Sequence, residues 1–237
     1  MLDNVIIIPY RAREPHLKYY IDNSVPLLQK YLPNSKVVIV EQDWNNKLFN
    51  RGCLLNIGAK EYENKTNHII TQDVDINPLE KSIKELYLPE VNDNTIKGLY
   101  NFDSNCDTLG GIIKMKNSTF FKINGFPNDI WGWGAEDIAL LQRAKYFNIK
   151  IYKTVKAHDL GHSNRCTGIY ENENYIVFNN INDRVMYNNS KNIQKYNLNN
   201  YNDKIVNIKN SGLNNINYEI INKQIINDYT EKILVKI

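Results

Sequence analysis

The chain has 237 residues, 42% of them hydrophobic and 23% charged, which suits one large folded domain and excludes both a multidomain scaffold and global disorder. Its 29 basic and 26 acidic residues are interspersed and leave a net charge of +3, so no basic face announces a nucleic acid. Three cysteines, Cys53, Cys106 and Cys166, lack metal spacing and read as reduced, buried thiols, and no apolar run reaches the roughly 20 residues of a membrane span.

Residues 5–9 form a strand-length apolar run. Leu17, Tyr20, Ile21, Val25, Leu28 and Leu32 then recur at helical spacing, with a kink expected at Pro26. Residues 37–40 give the next strand, Leu54, Leu55, Asn56, Ile57 and Ala59 a second helix, and Ile69-Ile70 a third strand before a polar turn. Strand, helix, strand, helix, strand predicts an α/β fold with a parallel sheet. Ligands sit at the carboxyl ends of such strands, which places Tyr10-Arg11-Ala12-Arg13, Glu41-Gln42-Asp43 and Gln72-Asp73-Val74-Asp75 on one rim.

Strands are expected at 96–100 and 110–115, a short helix from Asn117, a Gly/Trp loop at 131–135, a helix from Glu136 and a strand at 150–155. Beyond residue 165 the spacing is irregular, and 38 asparagines, densest after residue 170, would by composition suggest a disordered tail.

Three groups could carry chemistry. Asp73-Val74-Asp75 after an apolar strand suits a divalent cation that also touches a diphosphate, although an Asp-x-Asp turn is also an ordinary solvated turn. His158-Asp159-Leu160-Gly161-His162 offers imidazole and carboxylate within five residues, a set that favours Mn2+ over Ca2+ if His162 converges with Asp75. In Trp131-Gly132-Trp133-Gly134-Ala135-Glu136-Asp137, two acids open a helix whose dipole should keep them ionised and able to accept a proton. Helix capping alone would account for the acids but not for a tryptophan between glycines, which suits a lid with a flat face for a sugar ring.

That last string, preceded by Asn124-Gly125-Phe126-Pro127-Asn128, resembles the β-1,4-galactosyltransferase family, glycosyltransferase family 7. The resemblance extends to residues 7–17, to Phe49-Asn50-Arg51-Gly52, Asp73-Val74-Asp75, Gly110-Gly111 and His162-Ser163. It also takes in Ser211-Gly212-Leu213-Asn214 and closing strands at 218–221 and 233–237, which turns the Asn-rich stretch into loops of a single domain.

The resemblance implies a GT-A fold, a central mixed, mostly parallel sheet flanked by helices, with a nucleotide half over 1–100 and an acceptor half over 101–237. It implies inverting transfer of a hexose or N-acetylhexosamine from a UDP-sugar to a saccharide or glycoconjugate acceptor. Pro9, Tyr10, Arg11, Arg13, Phe49 and Arg51 would line the nucleotide site. Asp73 would hold the ribose or orient the loop, and Trp133 and Gly134 would close over the donor. Asp75, His162 and Asp159 would bind Mn2+, with Mg2+ as the alternative, and Asp137, beside Glu136, would be the base.

Three positions depart from the family: Asp159 where a methionine is common, Ile138 where a third acid follows, and Thr108 where a tyrosine limits the donor pocket. These leave metal preference, acceptor and donor (Gal, GalNAc or GlcNAc) open, as is the oligomeric state. Without an anchor or signal layout, a cytoplasmic enzyme is expected. A non-catalytic binding protein and a nucleotidyltransferase of the same fold are the alternatives.

Overall fold

A computed structural model describes residues 1–45, 47–99, 108–132, 134–155, 158–159, 168–171, 174–177 and 208–237. Its backbone is an eight-stranded mixed sheet in the order β11-β12-β2-β1-β3-β6-β5-β7. The strands are β1 (Leu2–Tyr10), β2 (Ser35–Gln42), β3 (Thr66–Gln72), β5 (Thr95–Leu99), β6 (Ile112–Lys116), β7 (Lys150–Val155), β11 (Glu219–Asn227) and β12 (Thr230–Lys236). β12, β2, β1 and β3 run parallel, β6 reverses, and β5 and β7 again run parallel to each other. Among the described residues four short strands lie apart in two pairs, β4 (Ile76–Asn77) with β8 (His158–Asp159) and β9 (Gly168–Glu171) with β10 (Asn174–Val177).

The apolar run of β1 is buried on both faces, as a central parallel strand must be. Val5 and Ile7 face a core with Leu54, Leu55, Phe120 and Leu140, while Ile6 and Ile8 face Tyr20, Leu28 and Tyr87. The first core holds α3 (Arg51–Glu61), α5 (Asn117–Lys122) and α6 (Glu136–Tyr146). Here α3 approaches so closely that a Cβ at Gly58 would overlap Ile7. Cys53 is buried in this core as a free thiol, pushed up to about 12 by burial.

The opposite face is covered by α1 (Glu14–Tyr19), a π-turn (Tyr20–Ser24) and α2 (Val25–Tyr31), and by α4 (Glu80–Ser82) with a second π-turn (Ile83–Tyr87). The first π-turn lies immediately before Val25-Pro26, so the expected kink takes this form: proline lacks the amide that the preceding turn would use. The closing strands expected near the end of the chain are present, and β12 joins the main sheet beside β2. Among the described residues no helix is long and apolar enough to cross a membrane. Trp133, His162, Cys106, Cys166 and the Asn-rich stretch 178–207 lie outside the described residues.

Candidate active site

The start of α3 shows how sequence sets the site. Asn50, fully buried, accepts the Cys53 amide on its side chain (2.9 Å), donates its own amide to Gln42 Oε1 (2.8 Å) and donates Nδ2 to the Asn128 carbonyl (2.6 Å). This cap fixes Arg51 as the first helical residue. Arg51 Nε donates to Asp73 Oδ1 (2.7 Å) and Nη1 to Asp137 Oδ1 (2.8 Å), with Glu136 Oε1 at 3.7 Å. Burial opposes the Arg51 cation, but Asp137, Asp73 and Glu136 more than offset it and hold the guanidinium above its ordinary range.

Asp137 reaches that point through a loop with positive φ at Gly132 (87°), Gly134 (92°) and Ala135 (74°), the last of these a non-glycine residue in left-handed backbone. The Leu109 amide donates to the Asp137 carbonyl (3.3 Å), which brings Thr108 and Gly110 to the same wall. A Cβ at Gly110 would overlap Asp137 Oδ2, so only glycine lets the carboxylate lie there. The helix start does not by itself decide ionisation, which corrects the sequence expectation. Burial pushes both Glu136 and Asp137 above the ordinary carboxylate range, and Arg51 pulls them back. Asp137 is raised further by Glu136 and Asp73.

Asp75 is 1% exposed and pairs with Arg13 (2.7 Å), whose amide donates to the Tyr10 hydroxyl (3.2 Å). A carboxylate this buried requires a cation beside it. Arg13 meets that requirement here, and a divalent cation would meet it with the hard oxygen donor such ions favour. β4 and β8 pair antiparallel, Ile76 opposite Asp159 and Asn77 opposite His158, so the backbone of Asp159 runs beside the residue that follows Asp75. Among the described residues no three metal-type side chains converge.

Arg11 forms the neighbouring wall, its guanidinium 5.2 Å from the Trp44 ring and 5.6 Å from that of Phe49, with Nη1 donating to the Lys47 carbonyl (2.9 Å). The Gly132 amide donates to the Phe49 carbonyl (2.8 Å) and Lys47 lies over Trp131 (5.4 Å), which docks the start of the Trp/Gly loop on this wall. Pro9 and Tyr10 are buried at the end of β1. The structure thus gathers Arg51, Asp73, Glu136 and Asp137 into one cluster, Arg13 and Asp75 into a second, and Arg11 and Phe49 into a third. Sequence reasoning missed Trp44, although it follows β2 on the same rim. It also placed Gln72 on the rim and Gly110 in the family string without giving either a role.

Residues 2–88 match the family described as the N-terminal region of glycosyl transferase group 7, and residues 97–167 the one described as the N-terminal domain of galactosyltransferase. The chain is 33% identical over 156 residues to human β-1,4-galactosyltransferase 4, covering 62% of this chain and 43% of that one. It is 30% identical over 150 residues to bovine β-1,4-galactosyltransferase 1, covering 62% and 37%. The match thus spans less than half the length of either relative. The crystal structure of the catalytic domain of Drosophila β-1,4-galactosyltransferase 7 in complex with xylobiose superposes with a TM-score of 0.69 at 19% identity, covering 100% of this chain and 94% of that one. A mutant of that enzyme in complex with manganese, UDP-Gal and xylobiose also reaches 0.69. At that identity the likeness establishes a shared fold, the GT-A galactosyltransferase fold.

Proposed function

Because the chain belongs to the β-1,4-galactosyltransferase family, glycosyltransferase family 7, we propose that it is an inverting glycosyltransferase that moves Gal, GalNAc or GlcNAc from a UDP-sugar to a hydroxyl of a saccharide or glycoconjugate acceptor. The observation that supports this best is that Arg51 joins Asp73, from the turn at the end of β3, to Asp137, from the start of α6. Residues of the donor side and the acceptor side therefore meet within the width of one guanidinium, with Asp75 next in line after Asp73. In this reading residues 1–100 form the nucleotide half and 101–237 the acceptor half of one catalytic domain.

Asp137 Oδ1 is taken by Arg51, which leaves Oδ2, above Gly110, to accept the proton of the acceptor hydroxyl. As that proton leaves, the hydroxyl oxygen bonds to the anomeric carbon, and the bond from that carbon to the β-phosphate oxygen breaks on the opposite face. A raised carboxyl is a stronger base than an ordinary one, which suits this step. Asp75, with His162 and Asp159, would hold Mn2+, with Mg2+ as the alternative. When bound, the cation supplies charge stabilisation for departing UDP. Asp73 orients the ribose, and Arg13 moves from Asp75 to the diphosphate, for which its planar fork is suited. Arg11, Phe49, Pro9 and Tyr10 line the nucleotide end, Trp133 and Gly134 close over the sugar, and Thr108 sets the room around the donor C2 group.

The test is a donor panel of UDP-Gal, UDP-GalNAc, UDP-GlcNAc and UDP-Glc, assayed with Mn2+ and with Mg2+ against mono- and disaccharide acceptors, with the anomeric configuration of the product determined. UDP release with a β-linked product is expected. Pyrophosphate release from UTP, or binding without turnover, would overturn the reading.

A further inference from the structure

Beneath the Asp73–Asp75 turn lies a buried polar cluster that the transfer step does not use. Gln72 and Ile76 flank the turn. Gln72 Nε2 donates to the Ile76 carbonyl (2.8 Å), and the Ile76 amide donates to the Asp73 carbonyl (3.1 Å), so the turn is closed twice. Gln72 Oε1 accepts the hydroxyls of Tyr87 (2.6 Å) and Tyr20 (3.3 Å). All three side chains are fully buried. Burial raises both phenols well above their ordinary range, so they stay protonated and donate. The amide orientation follows from its partners, since turned over it would set its oxygen against the Ile76 carbonyl.

Both phenols come from π-turns, Tyr20 opening the first and Tyr87 closing the second. From the first π-turn Ser24 also donates to Asn77 Oδ1 (2.9 Å), so one irregular helical segment grips the chain on both sides of residues 73–75. Such segments recur at functional sites because the extra residue per turn redirects side chains that a regular helix would aim elsewhere.

We propose that Gln72, held by Tyr20 and Tyr87, is a positioning residue for the cation- and diphosphate-binding turn: it fixes the two ends of the turn so that Asp75 is presented already ordered. The proposal rests on the reading of Asp75 as a metal ligand. Gln72 suits the task because one side chain must accept two hydroxyls and donate to a carbonyl. Leucine or methionine does neither, and glutamate loses the donor and adds a buried charge.

The experiment uses the full chain with Gln72→Met, Tyr87→Phe and, as a control at a phenol bonded to Glu231 on the other face of the sheet, Tyr62→Phe. UDP binding is measured by calorimetry with and without Mn2+, and hydrogen exchange of the Ile76 amide is followed without metal. Losing a partner behind a metal ligand typically weakens metal affinity by about 10- to 100-fold. Gln72→Met is expected to weaken Mn2+-dependent UDP binding by about that factor and Tyr87→Phe by less, both with faster Ile76 exchange. At saturating donor and metal, kcat should stay near the unsubstituted value. Tyr62→Phe should lower thermal stability while leaving UDP affinity and Ile76 exchange unchanged. If Gln72→Met is too unstable to handle, the nearly isosteric Tyr87→Phe carries the test. Lowered stability with unchanged UDP affinity and unchanged Ile76 exchange would reduce the cluster to core packing and overturn the proposal. Metal-independent UDP binding by the unsubstituted chain is a different failure, for it would remove the reading of Asp75 and the proposal with it.

Discussion

Two buried arginines sit in two neighbouring regions and are driven in opposite directions. At the start of α3, Arg51 is surrounded by Asp73, Glu136 and Asp137 and is held above its ordinary range. In the corner formed by residues 124–128, Arg143 is pulled down to about 9 by burial, which Asp129 opposes. Arg143 donates there to the carbonyls of Asn124 and Gly125 (2.8 Å each) and of Ser211 (2.5 Å). Asn124 binds the Ile208 carbonyl (2.6 Å) and both the amide and side chain of Asn214, and Asn128 binds Ser211 Oγ and the Gly212 carbonyl (2.7 Å each). In that corner the guanidinium and the side-chain amides donate to backbone carbonyls, which are fixed parts of the fold and are not given up to a ligand. A cluster of acids around one guanidinium stays poised, because each carboxylate depends on a cation that a substrate or metal can replace.

The comparison breaks most sharply at Asp137. Asp137→Asn keeps the shape but not the base, and transfer is expected to fall by about 10² to 10⁴ in kcat with UDP binding retained. In the unsubstituted chain the acid limb of the kcat–pH profile should lie above the ordinary aspartate value of about 3.9, since Asp137 must be deprotonated to act and burial raises it. In the corner, Arg143→Leu takes a donor from each of three carbonyls, of which that of Asn124 keeps the Leu213 amide (3.3 Å) and that of Ser211 keeps Asn124 Nδ2 (3.4 Å). A loss of about 3 kcal/mol is expected, seen as a fall in Tm of roughly 6–12 °C, with metal-dependent UDP affinity unchanged.

A smaller effect sharpens the contrast at an exposed edge. Glu61 accepts the Tyr218 hydroxyl (2.6 Å) and Lys223 (2.7 Å) and ties α3 to β11. Burial raises this carboxyl, but the two bonds outweigh it and hold it below its ordinary value. Its contribution is therefore present above the unfolded value of about 4.3 and is lost as pH falls through the lower folded one. Glu61→Gln should be less stable than the unsubstituted chain at neutral pH by about 1 kcal/mol or less, and the two denaturation curves should converge as the pH is lowered below about 4.

Much of the frame was legible because periodicity reports burial. The run Val5-Ile6-Ile7-Ile8 marked a central parallel strand, whereas the strands near 218 and 233 were expected from the family resemblance, which kept the end of the chain inside the sheet although its composition resembled a tail. The acid pair at 136 and 137 was legible too, but its electrostatics were not, because burial and Arg51 come from distant segments. Asn124-Gly125-Phe126-Pro127-Asn128 was as conspicuous as the Trp/Gly string, yet it serves architecture: letters carry no mark that separates a hub of amides from a site. Gln72 was placed on the rim but its role was not legible, for the opposite reason: a lone glutamine at a strand end acquires meaning only when two tyrosines arrive from separate π-turns.

The central claim is that Asp75 and Asp137 serve opposite sides of one bound donor. Calorimetric titration of UDP with and without Mn2+, on the unsubstituted chain, Asp75→Ala and Asp137→Asn, tests it most directly. The metal-dependent gain in affinity should be present in the unsubstituted chain, abolished by Asp75→Ala and kept by Asp137→Asn. An undiminished gain in Asp75→Ala would contradict the account.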